Sequence, residues 1–205
     1  MGLKDRFAGR ARAGLATMAA VTVVLYVIEA VNMATAGLLT ADFGIRPRDP
    51  SSLPDIATAP LVHDASSWNH LLANTLPLVV FGFLAFLAGL RQFLTAVALS
   101  WISSGIGVWL FGGSAFGPPT VTVGASGVIF GLFGFLLVRG FLNRSWGQVL
   151  LAVVLFLAYG SVLLGVLPTV GRGISWQAHL FGLVGGVLAA VFWGEAISPC
   201  KGSPR

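Results

Sequence analysis

Residues 124–141 read GASGVIFGLFGFLLVRGF, with no charge before Arg139. At 1.5 Å per residue, such a helix crosses most of a hydrocarbon core about 30 Å thick. Glycine stands at 127, 131 and 134, spacings of i, i+4 and i+7 that form one stripe down a helix. An apolar helix with a bare stripe suits close approach to another membrane helix. Working outward, apolar segments recur on both sides, giving six candidate spans at residues 15–32, 68–90, 92–111, 124–141, 147–167 and 174–194. The expected fold is all-α: a polytopic six-transmembrane-helix bundle over residues 13–194, with a basic segment at 1–12 and a tail at 195–205.

Composition agrees. The 205 residues are 56% hydrophobic and 9% charged, with mean hydropathy +0.89. A soluble domain carries about 25% charged residues, so a soluble fold is excluded, and disorder with it. The single Cys200 excludes a disulfide scaffold. Although the pI is near 10.4, the basic residues stand singly at the ends of apolar segments, which argues against nucleic acid as a partner. Lys4, Arg6, Arg10 and Arg12 precede the first span, and alternation places Arg91, Arg139, Arg144, Lys201 and Arg205 on the same side. Only Arg46, Arg48 and Arg172 fall opposite, and the positive-inside rule then makes both termini cytoplasmic. Ala34-Thr35-Ala36 resembles a signal-peptide cleavage site, but the apolar stretch before it is longer than a signal peptide needs, favouring a retained helix. Residues 37–67 form a long proline-rich outer loop that reads as a lid or partly inserted segment. The uncharged Gly/Pro connection at 112–123 is expected to dip below the membrane surface.

Polar side chains inside spans are functional suspects. His70 and Asn74 are four residues apart on one face of the second span, Ser126 opens the fourth and His179 lies in the sixth. Counting from Arg91, Arg139 and Glu195 at the inner boundary, Ser126 lies about 20 Å outward, His179 about 24 Å, Asn74 about 26 Å and His70 about 32 Å. The first three share a layer in the outer half of the core. Gly182 and Gly186 form a second small-residue stripe below His179, and apposing it to Gly127 and Gly131 would bring the Ser126 hydroxyl within reach of the imidazole. A neutral histidine can take the proton of a serine nucleophile. The Asn74 amide, a His70 N–H and the Ser126 backbone N–H are available to bind the resulting oxyanion. No acid is expected near this layer, since Glu29 belongs to the first span and Glu195 to the opposite face, so the chemistry reads as a Ser–His dyad without metal or organic cofactor. His63 reads as a loop-surface residue, Ser103 and Ser104 as helix-packing groups, and Pro77 as a kink that loosens the backbone beside Asn74. Val128 excludes the GxSxG elbow of α/β-hydrolases.

Gly124-Ala125-Ser126-Gly127 resembles the GxSG segment of rhomboid intramembrane serine proteases. His70-Leu71-Leu72-Ala73-Asn74 resembles their HxxxN, and Ala178-His179-Leu180-Phe181-Gly182-Leu183-Val184-Gly185-Gly186 their AHxxGxxxG. The resemblance implies Ser126 as nucleophile, His179 as general base, and His70, Asn74 and the Ser126 amide as oxyanion hole, with Gly124 shaping the turn. It implies Phe130 stacking on the imidazole where relatives often have tyrosine, and Gly127, Gly131, Gly182 and Gly186 as supporting positions. The family's Trp-Arg pair is absent from the loop at 37–67. Implied partners are single-pass transmembrane protein substrates and membrane lipids, in the plasma membrane. Two alternatives are a catalytically silent rhomboid-like protein that binds transmembrane clients and a small-solute transporter.

Overall fold

The computed structural model describes residues 2–113, 120–169, 171 and 173–197. Arg172, the tail at 198–205 and the middle of the 112–123 connection lie outside them. The elements are α1 (Leu3–Ala34), α2 (Leu38–Phe43), α3 (Asn69–Ala88), α4 (Leu90–Phe111), α5 (Ser126–Leu142), α6 (Trp146–Tyr159) and α7 (Trp176–Ile197), with short 3₁₀ turns between α2 and α3. Among the described residues there is no strand, only an isolated antiparallel bridge between Ile45 and Thr122.

Among the described residues five helical segments are long and apolar enough to cross a membrane: α1, α3, α4, α6 with its extension, and α7. The segment expected as the fourth span, α5, is shorter at 17 residues, about 25 Å at the α-helical rise. It is the axis of the bundle. Nearly all its side chains from Gly127 to Leu136 are buried, and α3, α4, α6 and α7 pack around it. Phe133 stacks on Phe81 of α3 with ring centroids 4.8 Å apart.

Glycine lets α5 and α7 touch backbone to backbone. A Cβ on Gly182 would land on the Gly127 backbone, and one on Gly186 on that of Gly131. Hydroxyls join α4 to the same helix: Ser103 Oγ donates to Phe181 O at 2.7 Å and Ser104 Oγ to Ala178 O at 3.0 Å. The packing role expected for both serines is what the structure shows.

Three elements depart from expectation. α1 begins at Leu3, twelve residues before the apolar segment, because Lys4, Arg6, Arg10 and Arg12 continue the helix. Arg10 Nη1 donates to Leu87 O at 3.1 Å near the end of α3, where free carbonyls and the helix dipole favour a cation. The expected continuous span at 147–167 is broken: α6 stops at Tyr159 and residues Gly160–Val166 tighten into a 3₁₀ helix. Gly160 and Gly165 each weaken the α-helix by about 1 kcal/mol, and 3₁₀ turns commonly finish helix ends. The loop at 37–67, expected as a lid or partly inserted segment, is a folded cap. Prolines start its 3₁₀ turns, Trp101 Nε1 donates to Ile56 O at 2.8 Å, and Trp109 Nε1 to Asp49 O at 2.9 Å. Arg46 bridges Asp49 at 3.0 Å and Asp55 at 3.5 Å.

Candidate active site

Ser126 is the first residue of α5, so its backbone N–H is one of the helix-start donors left without an intrahelical acceptor. Its hydroxyl has no hydrogen-bond partner among the described residues, unlike Ser100 and Ser103, which bond back to the carbonyl four residues earlier. The dyad contact is therefore unmade in this structure. Catalytic hydrogen bonds often close only when substrate is bound.

Gly124 makes the turn into α5 with φ +116°, a conformation that side chains resist. A Cβ there would lie 2.7 Å from His70 Cε1, 2.9 Å from His70 Nε2 and 3.8 Å from Asn74 Nδ2. The structure thus brings His70, Asn74 and Gly124 together, with Ser126 two residues on. The Asn74 side chain is buried, and among the described residues its Nδ2 has no acceptor. A buried N–H without a partner costs about 1–3 kcal/mol, so the orphan donor marks a place where an acceptor oxygen belongs.

His179 lies on α7, one turn above Gly182. The Phe130 ring, one turn below Ser126 on α5, stacks flat on the imidazole with centroids 4.0 Å apart and planes 7° apart. The stacking expected without the tyrosine hydroxyl is present. His179 Nδ1 lies 3.0 Å from Gly165 O in the 3₁₀ segment. Because a carbonyl only accepts, Nδ1 carries the hydrogen, and the neutral ring keeps a lone pair on Nε2. A backbone carbonyl thereby does the orienting that a carboxylate does in a triad. A Cβ on Gly165 would sit 2.9 Å from both His179 Nδ1 and Phe130 Cζ. Gly165→Ala is expected to displace the imidazole and loosen its stack on Phe130, as a shift of the His179 ring resonances between the two proteins would show.

Two expectations need correction. His63 is fully buried rather than on the loop surface. Its ring meets that of His70 edge to face, centroids 5.1 Å apart, and its Nε2 accepts from Ala125 N–H at 3.5 Å. Burial, with the neighbouring His70, pushes its pKa down to about 4, so the ring is neutral near pH 7. Secondly, an acid does approach this layer. Glu29 of α1 is fully buried, accepts from Asn32 Nδ2 at 3.4 Å, and lies within electrostatic range of His70. At 1.5 Å per residue the 32 residues of α1 rise about 48 Å, which carries Glu29 and Asn32 up to the level of the cap. Among the described residues no cluster of histidine, cysteine and acids has the makings of a metal centre.

These features define a multi-pass helical membrane protein with a polar site buried at the N-terminal start of its central helix. Residues 50–196 match the family model of the Rhomboid domain, and the chain belongs to the rhomboid family. It is 46% identical to the uncharacterized protein Rv1337 of Mycobacterium tuberculosis over 182 residues, 86% of this chain and 74% of that protein. It is 48% identical to ML1171 of Mycobacterium leprae over 172 residues, 82% and 66% of the two chains. A Bacillus subtilis protein named "Putative rhomboid protease YdcA" is 35% identical over 135 residues, 65% and 63% of the two chains.

Proposed function

We propose that this rhomboid protein is an intramembrane serine endopeptidase that cleaves single-pass transmembrane proteins in or near their membrane segment. The observation that carries the reading is the buried Asn74 Nδ2, without an acceptor among the described residues, beside His70 and the Gly124 turn and near a serine hydroxyl that none of those residues bonds. Membership of the family supports it independently.

Ser126 Oγ attacks the substrate carbonyl carbon while its proton passes to His179 Nε2, leaving a tetrahedral oxyanion. Asn74 Nδ2, a His70 N–H and the Ser126 N–H donate to that oxygen. The imidazolium returns the proton to the leaving amine as the C–N bond breaks, and an acyl-enzyme remains. Water then adds to the ester, deprotonated by the same nitrogen, and releases the new carboxylate with Ser126 restored. No metal or organic cofactor enters any step.

The same reading gives α5 the sixth crossing, both termini to the cytoplasm and the chain to the plasma membrane. Ser126 is thirteen residues before Arg139, about 20 Å outward of it, so it sits below the outer surface. Water reaches it from that side beneath the cap of residues 37–67. A peptide bond within a helix has its carbonyl occupied, so the substrate must locally unwind; substrates with small residues and weak helices at the cleavage site fit best.

Asn74→Ala removes one oxyanion donor and is expected to lower kcat by about 10²–10³-fold with KM nearly unchanged on a reconstituted transmembrane substrate. Unaltered kcat would remove Asn74 from the mechanism. Absence of cleavage by the wild type across a proteome of single-pass proteins would leave the client-binding reading.

A further inference from the structure

The two peptide N–H groups immediately before Ser126 are both held by the outer loop. Gly124 N–H donates to Ala59 O at 2.9 Å, and Ala125 N–H to His63 Nε2 at 3.5 Å. His63 is itself fixed on two sides. Its carbonyl accepts from Asn32 Nδ2 and from Thr40 Oγ1, both at 2.9 Å, and Asn32 Oδ1 accepts from Thr40 N–H at 3.1 Å. Its ring edge rests against His70. One fully buried side chain therefore touches the nucleophile's turn and one of the oxyanion donors, while its backbone is tied to the top of α1.

We propose that His63 is a positioning residue of the oxyanion hole, setting the peptide planes that lead into Ser126 and the tilt of the His70 ring. The proposal rests on the serine-protease reading above. To accept from Ala125, Nε2 must be unprotonated, which puts the ring hydrogen on Nδ1. The low pKa produced by burial keeps that arrangement at neutral pH. A turn free to rock would misaim the Ser126 N–H, and a misplacement of about 1 Å can cost on the order of 10²-fold in rate. The first helix thus takes part in catalysis at a distance, through Asn32 and the loop.

The test compares His63→Leu, which fills the space without an acceptor, with His63→Gln, whose side-chain oxygen reaches about as far as Nε2. Full-length protein in liposomes is assayed for kcat and KM on a transmembrane substrate and for Tm. The expected result is a ten- to hundredfold fall in kcat for His63→Leu at unchanged KM, with most of it regained in His63→Gln. Equal kcat in all three proteins, or losses in both variants that simply follow Tm, would overturn the proposal. If His63→Leu does not fold, His63→Asn takes its place: its oxygen falls short of Ala125, so kcat below that of His63→Gln supports the role and equal kcat refutes it. A wild type that neither cleaves nor reacts at Ser126 refutes the protease reading instead, a distinguishable failure.

Discussion

Replacing Ser126 by alanine is expected to abolish cleavage of a transmembrane substrate, and replacing His179 by alanine to do nearly the same. Losses in kcat for nucleophile or base are on the order of 10⁶-fold where the groups act as a unit. The double variant should be no worse than either single one, because each removes the same proton-coupled attack. Folding should persist in both. Among the described residues the Ser126 hydroxyl has no partner to lose, and His179 gives up one hydrogen bond to Gly165 O and the stack on Phe130. Unfolding temperatures measured beside the cleavage assay separate chemistry from stability. Strong residual cleavage in Ser126→Ala would assign the nucleophile elsewhere.

The second large effect is on stability. At Gly186 a Cβ would coincide with the carbonyl, carbon and Cα of Gly131. No rotamer relieves such a clash, since both sides are backbone. Gly186→Val must therefore push α7 off α5, with an expected destabilisation of about 3 kcal/mol or more and loss of activity as His179 moves with its helix. Gly147→Ala is the control: nothing lies within 4 Å of a Cβ there, and alanine should stabilise α6 by about 0.5–1 kcal/mol. Denaturation in mixed micelles reads both. A Gly186→Val protein as stable as wild type would mean that α5 and α7 are not in backbone contact.

Much of this architecture is legible in the sequence because its causes are local. Apolar length marks the long helices, and glycine period predicts the α5–α7 seam that Gly127, Gly131, Gly182 and Gly186 form. Helix face pairs His70 with Asn74 and the likeness to the rhomboid motif adds Gly124, whereas the depth count sets His70 above the layer and does not foresee its approach to the Gly124 turn. What escapes are interactions without a residue-type signal. The partner of His179 is a main-chain carbonyl, so Gly165 looks like any other glycine. His63 sits between prolines and Asp64 in a stretch whose composition reads as solvated loop; only the folding of the cap onto Ala125, far along the chain, buries it. Glu29 and Asn32 read as part of a detachable first span until the bonds of Asn32 to Thr40 and His63 tie that helix to the cap. The termination of α6 at Tyr159 is likewise decided by weak glycine preferences that apolar length conceals.

The central claim, that Ser126 is a nucleophile activated by His179, is tested most directly with a fluorophosphonate, which reacts covalently only with an activated serine. Purified full-length protein is labelled in detergent, digested and mapped by mass spectrometry. The account predicts one adduct, on Ser126, absent from Ser126→Ala and strongly slowed in His179→Ala. An adduct on another serine, or labelling of Ser126 as fast without His179 as with it, would contradict it.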